Sequence, residues 1–286
     1  MPDTPLRLFL FTADLDTALR AEAAGVNSVI VDWERHGKPA RQRGHDTEIN
    51  DHSAAAVSLL SSRLGIPVTV RLNPLHGGTQ AEVQRALDGG ASTLMLPMAR
   101  APREVEAFVR IVAGRARTLI QIETQALADQ CAALQSIDWD YAHVGLNDLK
   151  ISRGDSWLWA PVLDGTIERI HRALAGRIAG FGGATVIGGG VPIPFVGLLQ
   201  EMARLHAGMA LLRRSFLREA AGRDWGAELR AVRAVWAALH ERTPAAEQYD
   251  HAALTALLRT LAPSPRPALT PRRLFAPSSR LAALPH

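Results

Sequence analysis

Leu119-Ile120-Gln121-Ile122-Glu123-Thr124 and His143-Val144-Gly145-Leu146-Asn147-Asp148-Leu149 decide the fold. Each is an apolar run ending near one carboxylate, the pattern of a buried strand whose end emerges into solvent. Between them, Ala126 to Ile137 carries a helical pattern. Strand, helix and strand in that order make a parallel pair with both carboxyl ends on one side. Glu123 and Asp148 are therefore expected as neighbours at one rim. Two hard oxygen donors there suit a divalent cation. Either acid alone would serve equally well to cap the helix after it; the recurrence on consecutive strands favours the cation.

The same alternation extends in both directions. Strands are read at Arg7–Thr12, Ser28–Trp33, Pro67–Leu72, Thr93–Leu96, Ile178–Phe181 and Ala210–Arg213. Helices are read at Leu15–Ala24, from a cap at Asn50 or Asp51 to Leu64, and at Gln80–Leu87, Pro102–Val112, Asp164–Ala175, Phe195–Leu205 and Trp225–His240. Eight strands alternating with helices over about 240 residues imply a parallel sheet, closed as a (β/α)₈ TIM barrel. An open doubly wound sheet would carry a glycine-rich turn after its first strand, and Thr12-Ala13-Asp14-Leu15 has none. The expected division is a barrel over 1–245 and an extension over 246–286, a short helix followed by an irregular tail.

Composition narrows the function classes. The chain has 286 residues and is 47% hydrophobic and 21% charged, as a globular protein is. No apolar run spans a membrane, and the start lacks a basic stretch followed by an apolar one, so neither a membrane helix nor a signal peptide is expected. The single Cys131 fits a reducing, cytoplasmic setting. The net charge of +4 is concentrated in the tail: residues 251–286 hold five arginines and no Asp, Glu or Lys, leaving residues 1–250 at −1. No basic stripe with aromatics lies on the body, so nucleic acid is not an expected partner. The tail's six prolines argue against regular structure from about Pro263, and its apolar residues suggest a strap over the barrel or over a neighbouring subunit.

In a (β/α)₈ barrel the working face is built from the strands' carboxyl ends. Here those ends read Asp32-Trp33-Glu34-Arg35-His36, Arg71-Leu72-Asn73, Leu96-Pro97-Met98, Gln121-Ile122-Glu123, Asn147-Asp148, Gly180-Phe181-Gly182-Gly183 and Arg213-Arg214-Ser215. A period of two pairs Asp32 with Glu34, Arg71 with Asn73 and Gln121 with Glu123 on common faces. Acids, a guanidinium and amides around one point suit metal-assisted chemistry on a small anionic substrate. Gly182, Gly183 and the run Gly188–Gly190 allow close backbone approach to a carboxylate or phosphate.

Five of these segments carry a family resemblance: Val31-Asp32-Trp33-Glu34, Val70-Arg71-Leu72-Asn73, Leu94-Met95-Leu96-Pro97-Met98, Gln121-Ile122-Glu123-Thr124 and Val144-Gly145-Leu146-Asn147-Asp148-Leu149. In this order the chain resembles the HpcH/HpaI aldolase and citrate lyase β-subunit family. The resemblance implies a divalent metal on Glu123 and Asp148, with Mg²⁺ first and Mn²⁺ or Co²⁺ as alternatives. It places Arg71 on the keto-acid end of the substrate and implies carbon–carbon bond cleavage or formation through an enolate. It also implies a homo-oligomer, often with the last helix packed on a neighbouring subunit.

The reading that follows is a metal-dependent aldolase acting on a 2-keto acid such as pyruvate and an aldehyde. Its expected site comprises Arg71, His36 and Asp32 as catalytic residues, with Glu34, Asn73, Gln121, Gly182 and Gly183 against substrate. Two other readings stand beside it: a lyase acting on an acyl-CoA thioester, and a partner-dependent non-catalytic subunit. The family usually carries a histidine directly after the strand-two glutamate; here Arg35 stands there and His36 comes one later, with His45 and His52 as fallbacks. An ion pair of Arg71 with Asp32 or Glu34 is a structural alternative for that arginine. Lys150, on the phase of Asp148 if strand six continues that far, would allow a metal-free Schiff base. Trp157 and Trp159 are read as a pocket wall or as core.

Overall fold

The computed structural model describes residues 5–35 and 53–263. His36, His45, His52, most of the long segment after Arg35 and the proline-rich tail lie outside these residues. Eight parallel strands form a closed barrel in sequence order. They are β1 (Arg7–Phe11), β2 (Ser28–Asp32), β3 (Val68–Arg71), β4 (Thr93–Leu96), β5 (Arg117–Ile122), β6 (Tyr141–Val144), β7 (Ile178–Ala184) and β8 (Met209–Leu212), with β8 pairing back onto β1.

The period of two sorts each strand into two cores. Phe9, Ile30, Met95, Leu119, Tyr141 and Met209 form a cluster filling the barrel, while Leu8, Leu10, Val29, Val31, Leu94 and Ile120 belong to the larger layer between strands and helices. Moving up the inward phase from the filling cluster leads from Ile30 to Asp32, from Leu119 to Gln121 and Glu123, from Tyr141 to His143, and from Met209 to Leu211 and Arg213. Arg71 joins this layer through its register with Asp32. The polar strand ends thus sit on the barrel axis because the apolar residues beneath them are locked in phase.

The helices before the site follow their local signals. Asp14 caps α1 (Leu15–Ala23), accepting from Thr17 N–H. The next helix, α2 (Ala54–Arg63), is capped by Ser53 instead of Asn50 or Asp51; the Ser53 side chain accepts from Ala56 N–H. Then come α3 (Thr79–Asp88) and α4 (Pro102–Val112), the latter with proline in its first turn.

Three expected helices differ. The twelve-residue pattern after Glu123 is a single turn, α5 (Gln125–Ala128), followed by a 3₁₀ segment at Cys131–Ser136. There the Trp139 indole and Ile137 N–H both donate to Leu134 O, so the chain leaves that carbonyl without an i+4 helical bond. After β6 come α6 (Leu146–Arg153), α7 (Ala160–Leu163) and α8 (Thr166–Ala173), where one helix over 164–175 was expected; Gly165 at φ 81° separates the last two. After β7 come α9 (Phe195–Arg204), α10 (Arg214–Glu219), α11 (Trp225–His240) and α12 (Pro244–Leu261).

The last of these is no short helix, and the expected boundary at 245/246 falls inside its first turn, where Thr243 caps it and Pro244 opens it. It packs on α9 of its own chain, burying Leu254 and Leu258, and His251 Nδ1 lies 2.9 Å from Glu201. Cys131 and Trp159 are buried core residues, and Trp157 is partly buried against the same core. No helix among the described residues is long and apolar enough to cross a membrane.

Candidate active site at the barrel mouth

Arg71, the last residue of β3, lies across from Asp32, the last residue of β2. Its Nε donates to Asp32 Oδ1 at 2.9 Å and its Nη2 to Oδ2 at 2.6 Å, a two-pronged pair that a lysine cannot copy. Glu34 Oε2 lies 3.5 Å from Nε, and Nη1 reaches Gln121 Oε1 at 3.4 Å. The guanidinium also stacks 4.7 Å from the centre of the Phe11 ring. Burial works against its charge, but Asp32, then Glu34 and Glu123, more than compensate and raise its pKa above the ordinary arginine value. The ion pair weighed as a structural alternative for Arg71 is therefore present.

Asn73 sits just beyond β3 and acts as a bracket. Its Oδ1 accepts from Arg35 N–H at 2.8 Å and its Nδ2 donates to Glu82 Oε1 at 2.6 Å. Glu82 is a buried acid on α3, next to the His76 ring at 3.4 Å. Sequence reasoning missed it, although Thr79, Glu82, Val83 and Ala86 share the buried stripe of that helix. The amide expected against substrate is thus engaged in tying the ends of β2 and β3 to α3.

Glu123 follows β5 directly and is 1% exposed. Its Oε1 accepts from Met98 N–H at 3.0 Å. Met98 holds φ at 57°, left-handed for a side chain with a Cβ, a conformation that costs about 1–3 kcal/mol and collects at functional sites. Next to it Thr124 Oγ1 donates to Ala99 O at 2.6 Å, so the β4 end positions the β5 end. On its other side Glu123 meets Gly145: a Cβ there would stand 2.5 Å from Glu123 Oε2, and only glycine leaves room for the carboxylate.

Asp148 reaches this point by a route the sequence reading did not anticipate. The chain leaves β6 at Val144, and Gly145 stands as the cap just before α6, so Asp148 lies in the first turn of that helix and not at a strand end. A carboxylate is favourable there through the helix dipole. The Lys150 argument changes with it, because residues two apart on a helix point to different sides.

Burial and the neighbouring Asp148 and Glu34 push Glu123 up to about 8, against the smaller opposing effects of Arg71 and Met98 N–H. Among the described residues no three His, Cys, Asp or Glu side chains converge tightly enough to hold a metal alone. The pair fits a hard cation that takes one or two protein carboxylates and completes its shell with substrate and water. Glu123 Oε2 faces Gly145, the start of the helix that carries Asp148.

His143 is a further inward-facing group that the sequence reading quoted but assigned no role. It lies in register with Gln121, and its Nε2 is 2.9 Å from Gly182 O. A carbonyl accepts only from a protonated ring nitrogen, so Nδ1 carries the lone pair of the neutral ring; it is buried and has no hydrogen-bond partner among the described residues. Burial pushes its pKa down to about 4, keeping it neutral. The available signal was its shared phase with Tyr141 inside an apolar strand. Gly182 therefore serves as the acceptor for His143, and Gly183 packs on Arg213, where a Cβ would lie 2.9 Å from Arg213 Cβ.

No family model and no curated protein matches the sequence. Solved structures do. An HpcH/HpaI aldolase from Desulfitobacterium hafniense DCB-2 is 18% identical, covers 76% of this chain and 90% of its own, and superposes with a TM-score of 0.58. RipC from Yersinia pestis is 18% identical over 85% of this chain and 98% of its own, with a TM-score of 0.51. The citrate synthase SbnG is 14% identical over 80% of this chain and 93% of its own, with a TM-score of 0.57. At these identities the likeness establishes a shared fold, and the first neighbour bears the family name that the five strand-end motifs suggested.

Proposed function

We propose that the chain is a carbon–carbon lyase of the HpcH/HpaI aldolase and citrate lyase β-subunit kind, a divalent-metal-dependent aldolase that joins or parts a 2-keto acid and an aldehyde. The observation that carries the reading is Glu123, a buried carboxyl held beside two other acids and pushed up to about 8, an arrangement that a cation relieves. Glu123 and Asp148 would hold the cation, Mg²⁺ in the first instance. A divalent ion in that position supplies Lewis-acid polarisation of the substrate ketone. Two structural neighbours are named as an aldolase and a citrate synthase, both names of carbon–carbon chemistry.

The chain's own residues account for the rest. Asp32 fixes Arg71 so that its Nη1 edge, shared with Gln121, faces the keto-acid carboxylate without reorganising. The same fixed charge offsets negative charge developing on the ketone oxygen. His143 offers a neutral acceptor at the level of Gln121 for a substrate hydroxyl. Proton transfer is assigned to His36, whose ordinary pKa suits both directions near neutrality. The reading includes a homo-oligomer, to be checked by mass in solution.

The test is pyruvate release from 4-hydroxy-2-keto acids, measured with Mg²⁺, Mn²⁺ or Co²⁺ and after chelation. The expected result is activity that needs the ion and is lost in Glu123→Gln and Asp148→Asn. Turnover that survives exhaustive chelation, with a borohydride-trapped adduct on Lys150, would overturn the metal-dependent reading.

A further inference from the structure

The opposite end of the barrel, where the strands begin, carries a cluster that the chemistry at the mouth does not use. The inward phase that rises from Phe9 to Phe11 and from Leu119 to Glu123 descends to Arg7 on β1 and to Arg117 on β5, and on β6 it starts at Tyr141. Both guanidiniums converge on that phenol. Cζ of Arg7 lies 6.0 Å and Cζ of Arg117 5.8 Å from the ring centre, and Arg117 Nη1 donates to the Tyr141 hydroxyl. The phenol is buried and stands edge-on to Phe9 at 5.9 Å, so the cluster rests on the residues that fill the barrel.

Neither arginine meets an acid. Among the described residues Arg7 makes no side-chain hydrogen bond and no ion pair, and its Nη1 is buried without a partner. Arg117 bonds only the phenol. Two further arginines, in the loops leading into β5 and β7, are spent on the backbone: Arg115 donates to Val112 O and Ile111 O, and Arg177 to Ile137 O and Trp139 O. Acids stand at this end too. Glu22 accepts from Gly65 and Ile66 N–H, Asp88 from Gln84 and Asp140 from Thr118, and no ion pair joins these or Asp138 to an arginine among the described residues. Two like charges are thus gathered on one ring, whose face gives each only a weak attraction. An oxyanion between them would balance both through charge-assisted hydrogen bonds. Tyr141, which accepts from Arg117, keeps its own proton to donate to such a ligand.

We propose that Arg7, Arg117 and Tyr141 form an oxyanion site at the end of the barrel where the strands begin, taking phosphate either free or as the monoester of a small metabolite. Barrels of this fold carry out their reactions at the other end. The ligand here is therefore not consumed; it stabilises the folded chain by binding to it. The proposal is independent of the aldolase reading.

The experiment is calorimetric titration of the full chain with inorganic phosphate and with glycerol 3-phosphate, at an ionic strength held constant with sodium chloride. It compares the wild type with Arg7→Gln, Arg117→Gln and Tyr141→Phe. Phosphate is expected to bind the wild type, with affinity down tenfold or more in both glutamine variants and severalfold in Tyr141→Phe. The tighter of the two probes identifies the source, and equal affinities mean that free phosphate suffices. The melting temperature of the wild type should rise with phosphate at constant ionic strength, and that of the glutamine variants should not. Should Arg7→Gln not fold, Arg7→Lys takes its place, and its affinity is expected to fall less but measurably. No binding of either probe to the wild type overturns the proposal. Binding that survives in both glutamine variants places the anion elsewhere and overturns it as well, as does a loss confined to one of the two arginines.

Discussion

On the β2–β3 side of the mouth, Asp32 meets Arg71 through two hydrogen bonds, and Asn73 spends its amide on Arg35 and Glu82. On the β5–β6 side, Glu123 accepts from Met98 N–H and is pressed by Asp148 and Glu34. Asp32 and Glu123, the acids at the heart of the two sides, are both buried on the inward phase. The first is a clasp whose charges are balanced within the chain. The second keeps like charges together and tolerates a left-handed Met98 to do so, which makes sense where a ligand completes the balance. Residue type alone does not separate structure from function here; the identity of the partner does.

The largest effect should come from opening the clasp. Asp32→Ala removes the two-pronged partner of a buried guanidinium and leaves it the weaker attraction of Glu34 and Glu123, and is expected to cost about 3–5 kcal/mol in a denaturant melt. A loss under about 1 kcal/mol would mean that Glu34 takes over and the clasp is weaker than its geometry. Arg71→Lys keeps the charge and loses the fork; turnover should fall about a hundredfold or more, with a smaller stability loss. Near-normal kinetics would make Arg71 purely structural and confine function to the other side of the mouth.

Two further changes sharpen the contrast from the β5–β6 side. Gly145→Ala drives a methyl into Glu123 Oε2, and cation affinity and turnover should drop by about 10–100-fold while the melting temperature barely moves. An equal fall in stability would show that Gly145 serves packing instead. Glu123→Gln, without metal at pH 8, should raise the melting temperature by about 2–4 °C, the opposite sign to Asp32→Ala.

The pH profile carries the smallest effect. Glu123 is raised to about 8 in the folded protein, so its contribution is present below its unfolded pKa of 4.5 and is lost as pH rises toward 8. His143 and His171, the latter buried on α8, are lowered by burial from 6.5 to about 4, so their contribution is present above pH 6.5 and lost as pH falls toward 4. These groups together place the stability maximum of the metal-free protein near pH 6.5. Urea midpoints from pH 5 to 8.5 test it, and Glu123→Gln should flatten the alkaline limb and steepen the acid one.

The barrel was legible in the sequence because strand and helix periods alternate from Arg7 to Leu212 with little interruption, and three elements, Thr93–Leu96, Pro102–Val112 and Trp225–His240, agree to the residue. Glu123 was legible as the polar end of an apolar run. Asp148 was placed beside it, but on the wrong element: Gly145-Leu146-Asn147-Asp148-Leu149 is short enough to satisfy both periods, and the Leu146 to Leu149 spacing that favours a helix was outweighed by the apolar start of the run. His143 and Glu82 were passed over because their phase marks them as buried without saying what a polar group does there; that meaning lies in Gly182 O and Asn73, thirty-nine residues after one and nine before the other. Thr243-Pro244, a cap followed by a first-turn proline, marked the true start of α12 and was passed over for an extension starting two residues later, at 246.

The central claim is that the β5–β6 side binds a cation that the β2–β3 side does not. Calorimetric titration of the chelator-stripped protein with Mn²⁺ tests it most directly, in the wild type, Glu123→Gln, Asp148→Asn and Asn73→Ala. The account predicts one ion per chain, affinity reduced about a hundredfold or more in both acid variants, and unchanged affinity in Asn73→Ala. No binding in the wild type, or equal binding in wild type and Glu123→Gln, would contradict it.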